Sequence, residues 1–167
     1  MVIKLKSNIS NFLKEAYKHD KIKDLSEAFS EYSPELEWHM GRLENVVNDS
    51  GVSYAVHYEI GDIVFVNEYT YSNGEFGSNH LFVIIDQDNV AVPIEYFGML
   101  ISSNLRKLKF SSNVLLKKDD INHLNKDSLV KTNFLYRILD ENILFKIGKV
   151  DMSKVEEYKR SFMDMLD

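Results

Sequence analysis

After Gly51 the chain alternates with period two. In VSYAVHYEI, Val52, Tyr54, Val56, Tyr58 and Ile60 fall on one side and Ser53, Ala55, His57 and Glu59 on the other, which predicts a strand with one buried face. Two denser runs follow, IVFVNEYTY and LFVIIDQ, the second apolar enough for burial on both faces. DQDN then predicts a short turn into VAVPIEY, so the middle of the chain reads as a largely antiparallel meander. Pro93 has no ladder donor, which predicts an edge or bulge there and leaves Glu95 and Tyr96 accessible.

The pattern before Gly51 is helical instead. Ile9, Phe12, Leu13, Ala16 and Tyr17 recur at helix spacing behind caps at Ser7 or Asn8, and Ile22, Leu25, Ala28, Phe29 and Tyr32 suggest a second helix. A third starts with Ser33 as N-cap and Pro34 at the first helical position, and ends at NDSG. Downstream, NVLLKK, SLVKTNFLYRIL and ILFKIGKV read as strands, with a short helical turn in DDINHLNKD and a turn at DEN. A last helix, capped by Asp151 or Ser153, carries Val155, Tyr158, Phe162, Met165 and Leu166 on its apolar face. The expected organisation is a helical segment over residues 1–50 and a small antiparallel β-barrel with a terminal helix over 51–167, an α+β fold.

Composition narrows the chemistry. The chain has 167 residues, enough for one cooperative unit, and no cysteine, so thiolate catalysis, thiolate metal sites and disulfides are excluded. The start, MVIKLKSNISNFLKEAY, has no apolar run of signal-peptide length, and nothing in the chain is long and apolar enough to span a membrane; a cytoplasmic protein without membrane association is expected. A net charge of −6 disfavours broad polyanion binding. The exception is the stretch from Phe97 to Lys118, which lacks acidic residues and carries Arg106, Lys107, Lys109, Lys117 and Lys118; by itself it reads as a solvated basic face.

The five histidines are scattered, with no His-x-His and no i,i+4 pair, so no metal site is expected. NGEFGSN lacks the Walker pattern and precedes a strand, so it is no nucleotide loop. Acid–base chemistry by histidine and carboxylate remains. With a hairpin turn centred on Gln87 and Asp88, His80 and Glu95 come out as neighbours across two strands, and a carboxylate beside an imidazole makes a proton-transfer pair for neutral pH. The alternative is two ordinary polar residues at sheet ends.

GDIVFVN, the Gly-containing loop and HLFVII, followed by DS, KIGKV and the closing amphipathic helix, resemble in that order the MazF/PemK/Kid toxin family, over roughly Ile60 to Leu166. The resemblance implies an SH3-like β-barrel, a homodimer and an antitoxin partner. It also implies cleavage of single-stranded RNA without metal or other cofactor, by attack of a ribose 2′-hydroxyl on the adjacent phosphate. Where the family has Arg-Pro before its Leu-Val-Ile strand this chain has Asn79 and His80, and Glu95 is taken to stand where the following strand ends in Thr or Ser. Asn79 supplies no charge, so His80, with Glu95, is expected to replace the arginine. The RNA groove is expected along Gly77, Ser78, Asn79, Tyr96, Lys131, Thr132 and Arg137.

The resulting reading is the toxin of a toxin–antitoxin pair acting as a sequence-selective endoribonuclease. Its alternative is a degenerate module of the same fold that binds nucleic acid or a protein without cleavage. A protein-directed relative acting through its C-terminal helix is a further alternative, which the ending SFMDMLD does not favour. The helical first fifty residues either cover the groove as a built-in inhibitor or serve as a packing or dimerisation element, with Trp38 and Tyr32 as amphipathic anchors.

Overall fold

A computed structural model describes residues 9–25, 27–28, 58–67, 79–88 and 94–166. Within them lie helix α1 (Asn11–Lys18), strands β1 (Ile22–Asp24), β2 (Asp62–Asn67), β3 (Asn79–Asp88), β4 (Glu95–Ser102), β5 (Asn113–Leu116), β6 (Ser128–Leu139) and β7 (Ile143–Lys149), and helix α2 (Met152–Asp164). The strands form one mixed sheet in the order β1-β6-β4-β3-β2-β7, with β5 also paired to β6. The β1–β6 pair is parallel and every other pair antiparallel. The fold is thus α+β and the sheet largely antiparallel, as expected, with β1–β6 as its one parallel pair; among the described residues the sheet is not closed.

Alternation along the strands sorts their side chains into two buried sets. Ile63, Phe65, Leu81, Val83, Ile85, Met99 and Ile101 pack with Leu13 and Ala16 of α1 and with Val155, Tyr158 and Phe162 of α2. Val64, Val66, Phe82, Ile84, Tyr96, Leu100, Tyr136 and Ile138 form the second set with Leu25 and Ala28. Burial of both faces of LFVII is therefore as its composition predicts.

Several local expectations are corrected. The first helix is capped not by Ser7 or Asn8 but by Ser10, whose hydroxyl accepts from the Leu13 N–H and donates to Asp86 on β3 at 2.6 Å. The second helix begins not at Ile22 but at Leu25, and includes Ala28, while Phe29 and Tyr32 lie outside the described residues; residues 22–24 pair with Leu135, Tyr136 and Arg137 of β6, because a free sheet edge offers this short segment hydrogen bonds that an isolated turn of helix lacks. β4 lies between β3 and β6, so it is no edge. DDINHLNKD does form its expected single helical turn, closed by the His123 N–H donating to the Asp119 carbonyl at 3.1 Å; the Asp119 side chain accepts from the N–H groups of Ile121 and Asn122, and the amide of buried Asn122 donates to the Lys117 carbonyl. The third expected helix, most of VSYAVHYEI, and Pro93 lie outside the described residues.

The motifs of the resemblance turn out to be architectural. Gly61 sits at φ +96°, its N–H donates to the Ile84 carbonyl, and its own carbonyl accepts from Val150 N–H. A Cβ there would meet the Val150 oxygen at 2.8 Å. Asp62 accepts from the Glu59 N–H at 2.9 Å and pairs with Lys146 at 3.1 Å. In DS, Asp127 accepts from the Lys118 N–H and the buried Ser128 hydroxyl donates to the Lys126 carbonyl. Gly148 of KIGKV lets the turn at Ile121 and Asn122 lie directly on β7.

Asp151 caps α2, accepting from Lys154 N–H at 3.0 Å and from the Ser153 hydroxyl. Tyr158 of this helix is fully buried and its hydroxyl has no hydrogen-bond partner among the described residues; burial pushes the phenol's pKa well up. Replacing it by phenylalanine removes a desolvated polar group without changing the packing, so Tyr158→Phe is expected to raise stability by about 1 kcal/mol. Urea unfolding followed by circular dichroism checks this; a loss of stability would mean that the hydroxyl has a partner in the folded protein.

Candidate nucleic-acid site

The strand register separates His80 from Glu95. Leu81 faces Ile101 and Asp88 faces Glu95, so the strands are still paired at Gln87 and Asp88, where sequence placed the turn. Glu95 stands at one end of the hairpin and His80 at the other, about 20–25 Å apart along the strands. The expected His80–Glu95 proton-transfer pair is therefore not formed. Extending the register one residue beyond Leu81–Ile101 instead sets His80 opposite Ser102, the last residue of β4.

Ser102 is the functional candidate that sequence reasoning missed. The strand after LFVII ends in Ser102; placing the turn too early assigned that end to Glu95. Only 4% of Ser102 is exposed, and its hydroxyl oxygen accepts from the Asn104 N–H at 3.2 Å. His80 is 6% exposed and belongs to β3, where it pairs with Val66 of β2. Burial lowers its pKa from 6.5 to about 4, opposite to the rise expected from a neighbouring carboxylate, so the ring is neutral at pH 7.

Glu95 belongs to a different constellation. Its carboxylate takes the Arg137 Nε at 2.8 Å, Asp24 takes Nη1 at 3.2 Å, and Nη2 donates to the Tyr17 hydroxyl at 3.3 Å. All three guanidinium nitrogens are thus engaged by α1, β1 and β4, which makes Arg137 a clamp holding the N-terminal segment against the sheet. It is not an arginine presented to phosphate, as the groove expectation had it.

Two more expected groove residues are in the interior. Tyr96 is fully buried, its hydroxyl accepting from the Tyr58 N–H at 3.2 Å, and burial raises its pKa. Thr132 is likewise fully buried; its hydroxyl hydrogen-bonds the Ser112 carbonyl at 2.6 Å and the Ser161 hydroxyl at 2.7 Å, tying β6 to α2. Both corrections share one cause: a central strand buries its two faces, and composition does not show which strands are central. Lys131 is half-buried, opposite Leu100 and Asn113. Asn79 opens β3 opposite Asn67, while Gly77 and Ser78 lie outside the described residues.

Among the described residues no three His, Asp or Glu side chains converge on a metal position, and no helix is long and apolar enough to cross a membrane. An open groove of about 460 Å³ between α1 and α2 carries Glu15 and Glu156 as well as Lys159 and Arg160, so its charges cancel and it selects no anion. Compared with models of known protein families and with curated proteins, the sequence matches none.

Proposed function

We propose that the protein is a metal-independent endoribonuclease of the toxin–antitoxin kind, working at the sheet end where His80 meets Ser102. The observation that carries the reading is the β3–β4 register, which, continued one residue past Leu81–Ile101, sets the His80 imidazole and the Ser102 hydroxyl on opposite positions of paired strands. Neutral His80 takes the proton of a ribose 2′-hydroxyl as its oxygen attacks the adjacent phosphorus. The 5′-oxygen leaves with a proton returned from the imidazolium through water, giving a 2′,3′-cyclic phosphate and a 5′-hydroxyl and restoring neutral His80. The phosphate's negative charge favours the imidazolium that forms, and the Ser102 hydroxyl donates to the phosphorane oxygen. Low exposure of both groups strengthens these electrostatic contacts.

In this reading the curved sheet is the core of an SH3-like barrel. Register shifts in the β2–β7, β3–β4 and β4–β6 pairs support it, since bulges increase bend and twist. A second copy of the chain and an antitoxin protein are its partners, supported by the motif resemblance alone. A second reading, binding without cleavage, is favoured by Asn79, which lacks the charge of an arginine.

The test is incubation with a long unstructured RNA in EDTA and mapping of the ends. Cyclic-phosphate ends are expected from the wild type, with a loss of about 100-fold or more for His80→Ala. A smaller loss is expected for Ser102→Ala, and cleavage by Glu95→Gln is expected to survive. Loss in Glu95→Gln with full activity in His80→Ala would reverse the site assignment. RNA binding that never yields cyclic-phosphate ends selects the second reading.

A further inference from the structure

Beyond Ser102 the chain leaves the sheet through Asn104 into the 3-10 turn Leu105–Lys109, which ends at Phe110. Asn104 caps the turn by accepting from the Arg106 N–H at 3.2 Å, and the buried Asn113 amide donates to the Lys107 carbonyl at 2.8 Å. The backbone is thus fastened, while Leu105, Arg106, Lys109 and Phe110 are exposed and Lys107 and Leu108 half-buried. Phe110 is 53% exposed and Leu105 40%, and Lys109 Nζ sits 5.3 Å from the Phe110 ring centre. Arg106 and Lys109 form no ion pair among the described residues, and the register puts Lys131 beside Asn113. Lys117 and Lys118, past the other end of β5, adjoin Asp119 and Asp120, so the turn's claim to an anion rests on Arg106 and Lys109.

A lone exposed phenylalanine is ordinary on a protein surface. Here it stands at the end of a fixed turn, with the Lys109 ammonium over its ring, in a chain of net charge −6 whose 97–118 stretch has no acid. Charge complementarity selects a polyanion, and an exposed aromatic face beside ammonium and guanidinium groups is the combination that holds single strands, whose unpaired bases stack while phosphates take the cations. Apolar area favours a lipid surface less, because the exposed apolar side chains here are separated by charged ones.

We propose that the turn from Leu105 to Phe110 is a docking platform for single-stranded RNA, Phe110 stacking on a base while Arg106 and Lys109 hold the flanking phosphates. The platform directly follows Ser102, so it receives the strand next to the reacting groups. The identity of the strand as RNA rests on the ribonuclease reading, but the platform is tested apart from it.

The probe is a fluorescein-labelled, fully 2′-O-methylated oligonucleotide of about 12 nucleotides, long enough for one such site and uncleavable by 2′-hydroxyl attack. Its fluorescence anisotropy is titrated with the full chain. Phe110→Ala is expected to weaken binding by about 5- to 100-fold, whereas Phe110→Trp retains it. Arg106→Glu with Lys109→Glu is expected to weaken binding and to flatten the salt dependence by about 1.4 in log–log slope, two contacts' worth. No binding by wild type, or equal binding by all variants, overturns the platform, as does Phe110-dependent binding to phosphatidylserine vesicles without RNA binding. Oligonucleotide binding without cleavage of unmodified RNA overturns the nuclease reading alone. Cleavage with an unchanged KM in Phe110→Ala overturns the platform alone.

Discussion

Gly148→Ala is expected to destabilise the fold by about 3 kcal/mol or more, at the upper end of what overpacking costs. The turn carrying Ile121 and Asn122 lies on β7 so closely that an added methyl would be driven into the Asn122 carbonyl and come within 2.7 Å of the Ile121 oxygen. These obstacles are backbone, not the ends of flexible side chains. The turn is anchored by the Lys149 N–H donating to the Ile121 carbonyl at 3.2 Å and by the Asn122 bonds to Lys117 and Asp119, so moving it breaks several hydrogen bonds at once. In urea the midpoint should fall by roughly 1–3 M. A midpoint within error of wild type would mean that the turn yields freely and that the glycine of KIGKV is there for another reason.

The second large effect is acid sensitivity through His80. Its folded pKa of about 4 lies below the ordinary 6.5, so between those values the unfolded chain binds more protons than the folded one. Stability therefore falls as pH drops from about 6.5 towards 4 and levels off below, with a total loss of about 3 kcal/mol at most. Since the cause is burial, a ring that cannot titrate should remove the effect, and His80→Phe keeps an aromatic ring at the position. Urea midpoints at pH 7 and pH 4.5 for both proteins measure it. The wild type should lose markedly more than the variant, and parallel losses would show that the imidazole is not desolvated. The same pKa makes His80 neutral, and so able to take a proton, throughout the neutral range.

Two kinds of information in the sequence had different fates. Strands β2, β3, β6 and β7, the turn at DEN and helix α2 follow directly from apolar periodicity and capping, because each depends on residues within a few positions. Position 22 shows the limit: Ile22, Leu25 and Ala28 have helical spacing, yet Ile22 joins a parallel strand because β6 has an edge to offer. That edge is more than a hundred residues away in sequence, and local propensity is too weak to resist it.

The site divides along the same line. His80 was legible as a candidate from the unusual pair Asn79–His80 before a strongly apolar strand. Its partner was not legible, because cross-strand pairing depends on where the hairpin reverses, and a shift of the reversal by a few residues exchanges Glu95 for Ser102. Arg137, Tyr96 and Thr132 are polar at positions a groove would use. Whether each faces solvent, core or clamp is set by neighbours from α1, α2 and β1.

By itself, then, the sequence determined the elements whose cause is local: alternating strands, a capped closing helix, a basic turn in an acidic chain, and motif glycines marking unusual backbone. Tertiary structure alone decided which strands are central, which glycines are crowded by a distant turn, and which end of the hairpin brings histidine to serine. Those depend on register and burial, energies that exist only once segments far apart in the chain share one sheet.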